Sequence, residues 1–235
     1  MSDKNSPNHI AIIMDGNARW ARNKKLPIKF GHQEGSKSVQ KLIKAAIEFD
    51  IKYLTIFAFS TENWQRPKEE IDDLMDLMSN YLKKESEKFI KNNIKIIISG
   101  NLENLNYVIK DQILNLQEAT KYNSSITLNV AFDYGSRREI VDAFKKIIST
   151  MKDGENISDL IDENLISQNL YNPAIPDPDL IIRTAGEKRL SNFLLWQSAY
   201  SELYFTDKLW PDFDKEDLAL AILEFKTRKR HYGKR

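Results

Sequence analysis

No cysteine occurs among the 235 residues, which excludes disulfides, thiolate nucleophiles and cysteine-ligated zinc. That usage fits a reducing compartment, and a cytoplasmic protein is expected. A surplus of one charge is also missing. Lys and Arg total 35 against 34 Asp and Glu, so no global field points to nucleic acid, and any basic character that matters must be local. No apolar run approaches the roughly 20 residues of a membrane span. The polar stretch Met1 to Asn8 lacks the apolar core of a signal peptide and reads as a flexible terminus before a single domain over residues 9–235. There is no internal repeat, low-complexity tract or linker. The common signatures of nucleotide and hydrolase chemistry are absent too: no G-x-x-x-x-G-K-[ST], G-x-G-x-x-G, H-E-x-x-H or G-x-S-x-G.

What is present is an ordered globular composition, 41% hydrophobic with seven prolines and eight glycines. Apolar runs of strand length, Ile10–Met14, Tyr53–Phe59, Ile94–Ile98, Ile126–Phe132 and Leu180–Ile182, alternate with other segments. Those segments, Glu34–Phe49, Lys68–Asn92, Leu102–Tyr122 and Arg137–Met151, carry apolar residues at helical spacing. The alternation predicts an α/β fold, a mostly parallel central sheet flanked by helices. Pro173, Pro176 and Pro178 mark a loop, and Asp214–Tyr232 reads as a capped final helix with Arg228, Lys229 and Arg230 in its last turns. The Lys68–Asn92 helix carries enough large apolar residues for either a core-packing helix or one wall of an elongated apolar tunnel.

Chemistry gathers where strands end. In His9-Ile-Ala-Ile-Ile-Met-Asp15-Gly16-Asn17-Ala18-Arg19-Trp20, a buried-type strand stops at one carboxylate, a glycine, an amide and an arginine. Positions beyond the carboxyl end of such a strand are where open α/β sheets bind ligands. Gly16 permits close backbone approach, the following amides and Arg19 suit an anion, and Asp15 suits a metal on that anion. A second strand ends in Ser60-Thr61-Glu62-Asn63-Trp64-Gln65-Arg66, equally readable as a helix cap or as part of the same crevice. In Arg183-Thr-Ala-Gly186-Glu187-Lys-Arg189-Leu190-Ser191, two guanidinium forks and a hydroxyl suit a second polyanion, against the alternative of a solvated charged loop. Glu202 sits among aromatic and apolar residues, where a carboxylate needs a partner or a metal unless it faces water. His32 is either a structural histidine or a phosphate neighbour. Two anion sites without a nucleotide signature, beside apolar walls and a carboxylate, suggest transfer chemistry on a diphosphate with an apolar tail.

The segments HIAIIMDGNARWA, FGH, AFSTENWQRP, DLIIRTAGE with RLSNFLLWQ, and SELYFTDKLWPDF, in this order, resemble the cis-prenyltransferase family, the family of the undecaprenyl diphosphate synthases. The resemblance runs from His9 to about Gly233. It implies a homodimer with a hydrophobic tunnel through each subunit. It further implies magnesium-dependent condensation of isopentenyl diphosphate onto farnesyl diphosphate, giving a long-chain (undecaprenyl) diphosphate for the cell-wall lipid carrier. Transient membrane contact for product release and no nucleic-acid partner are expected.

By the same resemblance Asp15 is the essential aspartate for magnesium and diphosphate. Gly16, Asn17, Ala18, Arg19, Trp20 and His32 bind the allylic substrate. Ser60, Thr61, Glu62, Trp64 and Arg66 form a second substrate segment, with Asn63 the proton acceptor or an orienting group. Arg183, Arg189, Leu190 and Ser191 form the isopentenyl diphosphate site, and Glu202 is a second magnesium ligand. Three positions depart from the family pattern. Ile28 follows Pro27 where arginine is usual, with Lys29 adjacent as a charge without a bidentate fork. Ala185 stands in Thr-Gly-Gly-Glu. The terminal Arg-x-Gly, which in relatives completes the partner subunit's site, becomes His231-Tyr232-Gly233 after Arg230. The alternatives are a synthase of another product length and a non-catalytic subunit of a heteromeric synthase. The second conflicts with the presence of Asp15, Asn63, Arg183 and Arg189.

Overall fold

The computed structural model describes residues 6–151 and 156–229. Among them, six strands form one sheet: β1 (His9–Ile13), β2 (Tyr53–Ser60), β3 (Ile94–Ser99), β4 (Ile126–Tyr134), β5 (Leu180–Arg183) and β6 (Glu202–Phe205), in the order β3-β4-β2-β1-β5-β6. Every pairing is parallel. The central strand β1 is buried along its whole length, as its unbroken apolar run requires. Its side chains alternate between two cores. Ile10 and Ile12 enter the larger one with helices α2 (Ile28–Glu48), α3 (Lys68–Lys91), α4 (Tyr107–Thr120) and α8 (Lys215–Thr227). Ala11 and Ile13 enter the smaller one, with Phe193 and Leu194, on the face that also carries Tyr134, the last residue of β4 before α5 (Ser136–Thr150).

The five predicted strands are all present within two residues. The helices differ more, for readable reasons. The predicted Glu34 start moves back to Ile28 in α2, where Gly31 and Gly35 within the helix allow close packing. A Cβ on Gly31 would lie 2.1 Å from the Asn17 carbonyl, and one on Gly35 would lie 2.2 Å from Asn17 Oδ1. Against them packs a short helix that the periodicity did not predict, α1 (Asn17–Asn23). The helix predicted from Leu102 starts at Tyr107, after Asn106 caps the Ile109 amide at 2.9 Å. Two short helices, α6 (Ile157–Leu160) and α7 (Glu163–Asn169), complete the set. Asn8, read from sequence as flexible terminus, is tied down: its amide donates to Asp179 Oδ2 at 2.7 Å. The final helix ends at Thr227, and the part of its predicted range from Arg230 onward lies outside the described residues.

The chain leaves β1 toward β2, β4 and β3, then returns across the sheet to place β5 on the other side of β1. That reversal opens a crevice beyond the carboxyl ends of β1 and β5. Beside it the β2–β4 register slips between Phe57 and Phe59 and again before Ser60. Such a bulge re-aims side chains: Ala58 turns into a cavity, and Asp133 takes a left-handed φ of 45°.

Candidate active site

Asp15 is held at the head of the crevice by its own backbone. Its amide donates to Thr184 Oγ1 at 2.9 Å, and that buried hydroxyl donates back to the Asp15 carbonyl at 2.7 Å. The Trp210 amide donates to the same carbonyl at 3.0 Å. Gly16 follows at φ 106°, a conformation that lets the chain turn into α1. The Asp15 carboxylate pairs through Oδ2 with Arg183 Nη2 at 2.9 Å. Arg183, whose side chain is only 5% exposed, also donates from Nη1 to the Arg189 carbonyl at 2.5 Å and Ser191 Oγ at 2.7 Å. Its Nε–H is buried without a partner. The loop beyond it carries non-glycine residues at positive φ: Ala185, Ser191, Asn192 and Leu194. Backbone strain of this kind persists where surrounding structure enforces it, as at binding sites.

Around this core stand two exposed guanidinium groups. Arg19 donates from Nη1 to the Ala185 carbonyl at 2.9 Å and lies 3.5 Å from Glu187. Arg189 pairs with the other oxygen of Glu187 at 2.5 Å. Glu187 therefore holds both cations at the crevice until a stronger anion competes. That role was not read from sequence, although its position between Arg183 and Arg189 signalled it.

The second segment satisfies both of its sequence readings. Ser60 caps a short 3₁₀ helix over Thr61–Gln65, and the Ser60 amide donates to Asn63 Oδ1 at 3.1 Å. The cap lies at the crevice. Glu62 accepts from Asn192 Nδ2 at 2.9 Å, and the Asn192 carbonyl and Oδ1 accept the Ser136 and Arg137 amides at 2.8 and 2.9 Å. Thr61 packs on Gly135, where a Cβ would meet its hydroxyl at 2.6 Å. Trp64 donates to Asp133 Oδ1 at 2.8 Å, and Asn104 donates to the other oxygen at 2.8 Å. Asp133 was missed, yet it lies at the end of an apolar strand two positions before a glycine, a signal close to that of Asp15, which stands one position before Gly16. Trp20 likewise donates to Asp212 at 2.7 Å and is buried. Both indole N–H groups thus tie the site's segments to distant carboxylates of the fold. Leu190 packs against the smaller core, and Ala18 is half-buried on α1.

An apolar cavity of about 170 Å³ runs from this crevice between α2, α3 and the β2–β4 strands. Leu77, Met78, Ala58, Ile96, Ile98 and Leu116 are among its walls, so the long α3 helix is a tunnel wall rather than only a core helix. At the mouth stand Asn17 and His32. Asn17 Oδ1 and His32 Nε2 are buried without hydrogen-bond partners. Burial first, and then the Arg66 guanidinium, push the His32 pKa down against the opposing pull of Glu70, so the ring is neutral at pH 7. Arg66 pairs with Glu70 at 2.9 Å, and His32 Nε2 lies 3.7 Å from the same oxygen. Outside the mouth a cleft of about 400 Å³ is bounded by Ile28 and Lys29 on one lip and Glu69, Glu70 and Asp73 on the other. Ile28 therefore lines this outer cleft, with Lys29 the cation next to it.

Glu202 stands apart. The β-ladder register sets it level with Leu180 and Ile10, three residues before the strand ends, or about 10 Å along the strand. It is paired instead with Arg228 at 2.7 Å. Within one chain, then, Asp15 and Glu202 do not share a cation. Among the described residues no cluster of three His, Asp or Glu side chains could hold a metal. The single Asp15 carboxylate, 36% exposed and paired with Arg183, suits a hard ion that completes its shell with phosphate oxygens and water. No helix among the described residues is long and apolar enough to cross a membrane.

The family model described as putative undecaprenyl diphosphate synthase matches residues 13–233. An isoprenyl transferase of Fusobacterium nucleatum is 52% identical over 232 residues, covering 98% of this chain and 97% of that one. The farnesyl-diphosphate-specific ditrans,polycis-undecaprenyl-diphosphate synthase of Micrococcus luteus is 45% identical, covering 97% of this chain and 91% of that one. Among solved structures, lavandulyl diphosphate synthase of Lavandula x intermedia, in complex with dimethylallyl diphosphate, superposes with a TM-score of 0.94 at 36% identity, covering 99% of this chain and 100% of that one. A probable undecaprenyl diphosphate synthase of Campylobacter jejuni superposes with a TM-score of 0.81 at 38% identity, covering 97% and 99%.

Proposed function

The chain belongs to the undecaprenyl diphosphate synthase family of prenyltransferases, and on that premise we propose that it extends farnesyl diphosphate by successive cis additions of isopentenyl diphosphate, with magnesium. The observation that carries this reading is the pair of unpartnered atoms, Asn17 Oδ1 and His32 Nε2, at the mouth of an apolar cavity beside Asp15. Buried polar atoms without partners are rare: the neutral His32 ring can carry its proton on Nε2 and donate it to a diphosphate oxygen, the Asn17 amide can donate likewise once its side chain turns Nδ2 to the ligand, and the apolar cavity takes the tail. The allylic tail lies in the tunnel, with its diphosphate among Asn17, Arg19 and His32. The isopentenyl diphosphate lies against Arg189 and Ser191, whose loop Arg183 fixes.

Magnesium on Asp15 would neutralise diphosphate charge as the allylic carbon–oxygen bond breaks. The electron pair of that bond leaves with the diphosphate. The isopentenyl double bond supplies the electrons of the new carbon–carbon bond, and a proton is then lost from the neighbouring carbon. An amide is a poor base, and Asn63 Oδ1 already accepts the Ser60 amide. Asn63 accordingly orients the reactants, and the departing diphosphate is the anion at hand to take the proton.

A cavity of about 170 Å³ resembles an engineered one of roughly 150 Å³ that holds a single benzene. A long polyprenyl chain needs far more, so the walls part as the product grows. The wall suited to yield is α3, whose Leu74, Leu77 and Met78 are only half-buried. A product this apolar serves as a lipid-carrier precursor, made in the cytoplasm and released by transient contact with a membrane. A homodimer is part of the reading: Val141, Phe144 and Ile148 form an exposed apolar stripe on α5 that a second copy would cover. Incubation with farnesyl diphosphate, labelled isopentenyl diphosphate and magnesium, followed by chain-length analysis, tests the reaction. A ladder of elongated products is expected, and absence of elongation overturns it.

A further inference from the structure

We propose that the junction between α1 and α2 docks on anionic phospholipid and seats the tunnel mouth on the bilayer, an inference that rests on the apolar product proposed above. Between Asp15 and Glu34 the chain carries five cations, Arg19, Arg22, Lys24, Lys25 and Lys29, and no carboxylate, in a protein whose charges as a whole nearly cancel. Every residue from Arg22 to Pro27 is exposed. Set among these cations are two large apolar side chains, Leu26 at 39% and Phe30 at 43% exposure. Apolar groups ringed by lysines match the boundary of an anionic bilayer, where ammonium groups reach the headgroups while Leu and Phe enter the acyl layer.

The display is rigid. The Leu26 amide donates to the Ala21 carbonyl at 2.9 Å, and Lys24 sits 4.1 Å over the Trp20 ring. It is also continuous with the tunnel, since Lys29 lines the outer cleft and His32 lines both cleft and tunnel. The opposite lip carries Glu69 and Asp73, which anionic headgroups repel. The two lips together set one orientation: the α1–α2 side lies down and the α3 side faces water. A chain sliding out of the tunnel then meets the acyl layer at Phe30 and Leu26.

Co-sedimentation of the full chain with vesicles tests this. Binding is expected to phosphatidylcholine mixed with phosphatidylglycerol, to weaken with salt, and to be absent with phosphatidylcholine alone. R22E/K25E lowers the partition coefficient at least about tenfold, because each basic residue near such a surface contributes several-fold. L26S/F30S lowers it several-fold, and K83E/K84E, at exposed positions on α3, leaves it unchanged. All three variants keep the wild-type elongation rate on detergent-dispersed substrates. Failure of the wild type to bind anionic vesicles, equal binding to phosphatidylcholine alone, or an equal loss in K83E/K84E overturns the docking surface. If vesicle binding behaves as expected while no elongation occurs in detergent, the proposed reaction falls and the docking surface stands.

Discussion

His9 and His32 show how differently two regions of this molecule treat the same side chain. His9 starts β1 and begins a buried polar seam that crosses the sheet. Its Nδ1–H donates to the Pro176 carbonyl at 2.6 Å, and its Nε2 accepts from the Thr55 hydroxyl at 2.7 Å. Thr55 Oγ1 accepts Asn129 Nδ2 at 3.3 Å, Asn129 Oδ1 accepts the Ser99 hydroxyl at 2.8 Å, and Ser99 Oγ accepts Asn172 Nδ2 at 2.6 Å. Every member is engaged in one consistent direction. His32 lies at the tunnel mouth with its Nε2 buried and unengaged, beside the equally unengaged Asn17 Oδ1. A satisfied network rigidifies a core, whereas an unsatisfied one holds free energy that a ligand can release. The seam is structure, and the crevice is a site awaiting a partner.

That contrast predicts opposite consequences for substitutions in the two regions. The largest effect is expected at Asp15. Asp15→Asn keeps an acceptor for Arg183 but removes the charge, and kcat/KM for chain elongation should fall at least about a thousandfold, with little change in Tm. A variant that unfolds instead would move Asp15 into the structural class.

Next comes His9→Ala, which strands the Thr55 hydroxyl and the Pro176 carbonyl and opens a void. Denaturant unfolding should show a loss of about 3 kcal/mol, with the folded fraction still active. The seam also sets a pH dependence. Burial first, against the smaller opposing pull of Pro176 and Asp179, lowers the His9 pKa to about 4. The unfolded chain takes up this proton near pH 6.5, the folded one only near 4. Stability contributed by the neutral ring is therefore present above pH 6.5 and lost as pH falls toward 4, about 3 kcal/mol in all. His9→Ala should flatten that part of the stability–pH curve.

His32→Ala is the converse case. It removes a ring whose Nε2 has no bond to lose, so Tm should hold, while kcat/KM falls roughly ten- to a hundredfold through a weaker hold on the allylic diphosphate. Equal losses in stability at both histidines would erase the distinction between seam and crevice.

Most of the crevice was legible because strand ends are legible: Asp15, Ser60 and Arg183 each follow an apolar run, and parallel strands bring such ends together. What escaped depended on partners far away in the chain. Nothing near Trp64 announces that its indole will reach Asp133, 69 residues on, or that Trp20 will reach Asp212, 192 residues on. Each of these contacts is set by the fold and not by the local motif. Strand β6 escaped for a different reason. It has four half-buried residues at the sheet edge, where neither an apolar run nor a clean alternation develops. The Lys68–Asn92 helix could be placed but not interpreted, because periodicity gives the apolar face and not whether that face meets a neighbour or a void.

Glu202 supplies the smallest expected effect and the sharpest decision between the two regions. Resemblance implies a magnesium ligand, while the register puts it about 10 Å before the strand end, in an ion pair that ties Arg228, the cap of α8, to the edge strand. Arg228 also donates to the Leu203 carbonyl at 2.9 Å, so the pair fixes where the chain leaves α8 toward its last residues. A partly exposed pair of this kind contributes at most about 1 kcal/mol. Glu202→Gln should therefore lower stability by less than that, and the magnesium concentration giving half-maximal elongation should stay at the wild-type value. A ligand lost from the ion's own shell would raise that concentration by at least the roughly ten- to hundredfold seen for weaker supporting contacts. Such a rise would return Glu202 to the crevice, and since one chain cannot bring it to Asp15, it would mean that a second copy completes the metal site.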